Sequence, residues 1–113
     1  MKKLIIALSC AVVSFSAVAG GSVANGEQLA KKYNCATCHG DNFSKPIDPT
    51  YPKLAGQHAE YLEHALKAYK RGDGPNGRNN AIMGGQVKPL SNNDIADIAA
   101  YLHSLPSDLV LKR

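Results

Sequence analysis

The sequence has no stretch in which apolar and polar residues alternate for long enough to make a useful strand, no internal repeat and no low-complexity tract. Sheet-based folds, repeat arrays and disordered linkers are thereby set aside. A spanning helix is missing as well: the apolar run from Leu4 to Val18 is 15 residues, short of the roughly 18 that such a helix needs. Methionine is scarce, and Met83 is the single one once the initiator is discounted. The cationic excess is also small. The formal charge of +4 includes Lys2 and Lys3, and without them it falls to +2, so no general attraction to nucleic acid or membrane surfaces follows.

What the chain does have begins with Met1-Lys2-Lys3, then the apolar run, then Ala17-Val18-Ala19. A basic start, an apolar core and a small-residue site describe a secretory signal peptide over residues 1–19, with retention as a signal anchor as the alternative. Cys10 lies in this leader, where Ala7-Leu8-Ser9 makes a poor lipoprotein signal, and is expected to be discarded with it. Residues 20–113 remain as one small domain, of a size that often depends on a staple or a cofactor.

Three helices are legible in that domain. Ser22 or Asn25 can cap the first, which runs through Gly26, Leu29 and Ala30 to about Tyr33. Gly26 inside it implies either a close packing contact or a place in the N-terminal turn. Tyr61, Leu62, Ala65, Leu66 and Tyr69 share one face of the second, which ends near Arg71-Gly72. Ile95, Ile98, Ala99 and Leu102 recur at helical spacing in the third, with Ser91 as N-cap, Asp94 near the positive helix end and Pro106 as the stop. Pro46, Pro49 and Pro52 exclude a regular helix between the first two, and residues 71–80 read as a surface loop. The expected fold is all-α, three main helices joined by long loops, which would be unusual unless something large lies inside them.

Cys35-Ala36-Thr37-Cys38-His39 supplies that something. Two cysteines separated by two residues and followed at once by histidine form the attachment signature of a c-type haem. The thiols would join the macrocycle as thioethers, and His39 would be held at the iron as proximal ligand. A redox disulfide would call for a βαβ context that is absent, although export also permits a plain disulfide. A zinc site using His58 and His64 would need an unusually long spacing after Cys38 and leaves His39 unexplained. Met83 lies between a glycine-rich loop and the last helix. It is either a core filler or the second iron ligand, a soft sulfur that favours the ferrous state and raises the potential. His58, His64 and His103 are the substitutes for it, and solvated histidines are their default reading. Tyr51, Tyr61, Tyr69 and Tyr101 read as pocket or core packing.

The chain resembles a class I cytochrome c, and in particular a single-haem relative of the bacterial di-haem periplasmic cytochromes. The resemblance is carried by Cys35 through Gly40, by Tyr51-Pro-Lys-Leu-Ala-Gly-Gln57, by Met83 and by Leu90 through Leu102, and covers nearly all of residues 20–113. It implies that the first and last helices cross near Gly26 and the 99–102 region. It also implies that the Pro52 carbonyl supports the other ring nitrogen of His39, that Leu54 packs on the haem and that Met83 is the distal ligand. Gln57 and Arg78 are candidate neighbours of the propionates, since both can donate hydrogen bonds, or else loop residues facing water. The function implied is a periplasmic single-electron carrier with one haem c, or a haem subunit of a dehydrogenase such as a flavoprotein complex, rather than an enzyme in itself. Its partners would be redox proteins docking on a rim for which Lys45, Lys53 and Lys88 are candidates, with no nucleic acid and no stable membrane insertion.

Overall fold

Five helices make up residues 21–107, the part of the chain that the computed structural model describes, and no strand occurs among them. They are α1 (Val23–Lys32), α2 (Ala36–His39), α3 (Ala59–Arg71), α4 (Ala81–Val87) and α5 (Asn92–Ser104). The leader expected over residues 1–19 lies outside the described residues.

The last helix organises the rest. Its start is fixed by a reciprocal capping box: Ser91 Oγ accepts the Asp94 N–H at 3.0 Å while Asp94 Oδ2 accepts the Ser91 N–H at 3.1 Å. Ile95, Ile98, Ala99 and Leu102 are all buried, and Ile95, Leu102 and Val87 of α4 are the largest fully enclosed side chains. Each such residue contributes about 1.5–3 kcal/mol by leaving water. Both α1 and α3 pack on this helix, and α4 packs on α3.

The α1–α5 crossing explains Gly26. The residue lies in the helix, and a Cβ there would sit 1.9 Å from the Asp97 carbonyl oxygen and 2.8 Å from Tyr101 Cβ. Only a glycine lets the two backbones approach so closely. The contact falls on Asp97 and Tyr101, so the expected crossing region is met at its Tyr101 side. Asp97 then uses its carboxylate to accept the Ser22 N–H and an Asn25 amide proton, which ties the entry of α1 to α5.

The remaining elements follow local chemistry. Gly72, at φ +62°, ends α3 in a left-handed conformation, as Arg71-Gly72 implied. The short segment around Met83, outside the three expected main helices, is a helix of seven residues, because Asn80 accepts the N–H groups of both Ile82 and Met83. Buried Phe43 adopts φ +57° in the loop after α2 and meets Tyr101 edge-on, with ring centroids 6.0 Å apart. Its carbonyl accepts the N–H groups of Leu54 and Ala55 at 2.8 and 3.1 Å, which folds the proline-rich loop back toward α2.

Candidate haem-binding site

Between the described helices and loops lies an apolar cleft of roughly 1250 Å³ including its open mouth. Leu62, Ala65 and Leu66 of α3, Val87 of α4, and Ile98 and Leu102 of α5 line it, so the stripes legible as helix faces double as its wall. Cys35, Cys38, His39, Pro52, Leu54 and Met83 all line the same cleft.

His39 is buried at the end of α2, and its Nδ1 lies 3.0 Å from the Pro52 carbonyl oxygen. A carbonyl can only accept, so Nδ1 carries a proton, and in the neutral ring the lone pair is then on Nε2. That tautomer is the one a metal-ligating histidine needs, with its second nitrogen oriented by a backbone acceptor. Cys35 and Cys38 are free thiols, partly buried. Burial pushes the Cys35 thiol above its ordinary value, with a smaller upward push from Cys38 that opposes its backbone hydrogen bonding. A reactive redox cysteine shows the opposite shift. Among the described residues no three His, Cys, Asp or Glu side chains are grouped to hold a metal ion, and His58 and His64 do not join the cysteines.

Met83 reaches the cleft from α4, partly buried and packed against the core. The three histidines weighed against it line no part of the cleft: His58 precedes α3, His64 is exposed on it, and His103 bonds to the Gln57 carbonyl. Tyr51, Tyr61 and Tyr69 line the cleft, whereas Tyr101 packs on Phe43 outside it. At the mouth, the Arg78 guanidinium sits 5.8 and 5.4 Å from the centroids of Tyr61 and Tyr69 and donates to Tyr61 Oη at 3.4 Å. The two tyrosine hydroxyls hold the guanidinium in its charged form and raise its pKa further. Gln57 also borders the cleft, and its amide donates to the Lys53 carbonyl. Lys53 and Lys88 are exposed beside cleft-lining residues, but Lys45 borders a separate depression with Thr37, Asp41 and Tyr101. Tyr33, Asn80 and Gln86 also border the cleft, none of them singled out from sequence. For Asn80 a signal existed, an asparagine just ahead of an apolar segment.

The residues present fit a haem. An apolar slot carries two thiols, a histidine already in the ligating tautomer and one thioether, and the Arg78 guanidinium stands at its mouth.

Such a cleft in an all-α frame defines a c-type haem protein of the class I fold. The chain belongs to the cytochrome c family, whose model matches residues 23–106. It is 45% identical over 84 residues to cytochrome c-554(548) of Halomonas halodenitrificans, covering 74% of this chain and 96% of that one. The crystal structure of reduced recombinant cytochrome c4 from Pseudomonas stutzeri superposes with a TM-score of 0.65 at 37% identity. That match covers 79% of this chain and 47% of the other, so the chain spans about half the length of cytochrome c4. A protein named thiosulfate dehydrogenase electron acceptor, from Thiomonas intermedia, is 36% identical over 72 residues, covering 64% of this chain and 31% of its own length. Family membership implies covalent haem c and haem-based electron transfer.

Proposed function

We propose that the protein is a periplasmic one-electron carrier with a single haem c, attached through Cys35 and Cys38 and ligated by His39 and Met83. The observation that carries this reading is the meeting of all four residues in one apolar cleft, with His39 Nδ1 engaged by Pro52. Haem c supplies an iron that exchanges one electron between ferrous and ferric states. The chain's own residues set the terms. With both His39 and Met83 bound to it, the iron would have no position left for oxygen or peroxide, which argues for transfer and against haem catalysis. Leu54 and the leucines of α3 exclude water from the apolar slot, and Arg78 offers a fixed positive charge at its mouth. The leader over residues 1–19 delivers the chain to the compartment where attachment occurs.

Partners dock at the mouth of the cleft, where Tyr61 and Ile82 are 51% and 58% exposed and Lys53 and Lys88 lie nearby. A small interface of this kind suits transient encounters. The absorption spectrum of protein exported by a host with haem-attachment machinery tests the reading. Covalent c-type bands, with a far-red methionine–iron band when oxidised, are expected; absence of covalent haem would overturn it. A second reading, service as the haem acceptor of a dehydrogenase, is favoured by the relationship to a protein of that name. Co-purification of a larger catalytic subunit separates it from the free carrier. No helix among the described residues is long and apolar enough to cross a membrane.

A further inference from the structure

We infer that His103 is a positioning residue for the haem site: from the end of α5 its imidazole clamps the 52–57 loop and so holds the Pro52 carbonyl against His39. The inference rests on the reading of His39 as proximal ligand. His103 is exposed and lines no part of the cleft, so whatever it does for the site it does through another residue.

The loop is tied on two sides. At the cleft, Pro52 accepts from His39 Nδ1 at 3.0 Å, and beside it the Leu54 N–H donates to the carbonyl of Phe43, a buried residue outside the cleft, at 2.8 Å. Facing α5, the Gly56 N–H donates to the Leu102 carbonyl at 2.9 Å, and His103 Nδ1 lies 2.8 Å from the Gln57 carbonyl oxygen. That oxygen can only accept, which makes Nδ1 the protonated nitrogen of His103. The Gln57 side chain carries the restraint back along the loop by donating to the Lys53 carbonyl, one residue from Pro52. No side chain can replace these bonds by packing at position 56. Gly56 has φ +75°, and a Cβ there would meet Ser107 Cβ at 2.6 Å. The donor is also well sited, since His103 occupies the last turn of α5, where unpaired carbonyls make the helix end negative.

Loss of the clamp loosens the Pro52–His39 bond. The imidazole becomes a less electron-rich ligand, the ferric state is less stabilised, and the reduction potential rises. The test uses the haem-loaded protein and two variants. His103→Leu removes the donor, while His103→Asn keeps one, its Nδ2 standing close to where Nδ1 was. Exchange of the His39 Nδ1 proton with solvent, followed by NMR, is expected to be at least about tenfold faster in His103→Leu, with a higher potential, and within about twofold of wild type in His103→Asn. An unmoved exchange rate and potential in His103→Leu would overturn the clamp, as would equal changes in both variants. Ring-nitrogen shifts in the wild type provide a check that needs no variant: protonation of His103 on Nε2 instead of Nδ1 contradicts the clamp. A wild type without covalent haem or the methionine band refutes the ligation itself, a different result from an intact spectrum with an inert His103→Leu.

Discussion

Replacing Asn80 by alanine removes a helix cap and leaves the side chains of His39 and Met83, the proposed iron ligands, unchanged. Asn80 Oδ1 accepts the N–H groups of Ile82 and Met83, each at 3.0 Å, and so holds the first turn of the helix that carries the proposed distal ligand. That helix has little else in its favour. It is seven residues long and includes Gly84 and Gly85, each about 1 kcal/mol poorer than alanine in a helix interior. Loss of an asparagine cap costs about 1 kcal/mol, with an upper range near 2. Because Asn80 and Ile82 are exposed, water recovers part of the two lost bonds, and a value of about 1–2 kcal/mol is expected. The population with α4 opened, and Met83 withdrawn, then rises by a factor of about 5–30. Imidazole binds the ferric iron only in that population, so its apparent affinity should tighten by the same factor. Titration of wild type and Asn80→Ala with imidazole, followed at the far-red methionine band, reads this out. Asn80→Ser retains a capping oxygen and should stay within about twofold of wild type. Unchanged imidazole affinity in Asn80→Ala, or equal tightening in the serine variant, would show that the cap does not hold Met83 in place.

Gly26→Ala gains about 1 kcal/mol of helix propensity. It forces a Cβ into the Asp97 carbonyl, whose backbone cannot turn aside, at an overpacking cost near the 3 kcal/mol end of the usual range. A net loss of about 2 kcal/mol, or a melting temperature lower by roughly 8–16 °C, is expected in thermal unfolding, and an unaltered melting curve would mean that the helices do not cross there. Ile95→Ala empties a fully enclosed site, with an expected loss of about 2–5 kcal/mol by denaturant titration; a value below 1 would show the site to be less enclosed than it is here. Met83→Ala should open the iron, so that carbon monoxide binds the ferrous protein readily at neutral pH while the covalent spectrum persists. If wild type and variant bind it alike, Met83 is not the ligand.

The features legible in the sequence are those whose signals are local. A cap at Ser22 or Asn25 marked α1, a periodic apolar face ending at Arg71-Gly72 marked α3, a cap, a periodic face and a proline stop marked α5, and adjacency made Cys35, Cys38 and His39 a motif. Met83 was legible for a different reason, as the only internal methionine. Its helix was not, because Gly84 and Gly85 lower the helical signal, and its stability rests on one cap and on packing against α3. The hold of Asp97 on Ser22 and Asn25, and of His103 on Gln57, joins residues far apart in the chain, where no pattern of neighbours could report it. The same is true of Lys45, whose sequence position near the motif said nothing about its place on a different face.

The role of α5 as the common packing partner of α1 and α3 bears on when the molecule can fold at all. Helices of ten and thirteen residues are marginal alone in water, and both find their surface on α5, the last of the described helices. Until α5 is in place, α1 and α3 lack that surface, and the cleft beside the two thiols lacks the wall that Ile98 and Leu102 supply. Closure of the core and closure of the cleft therefore wait on one and the same segment.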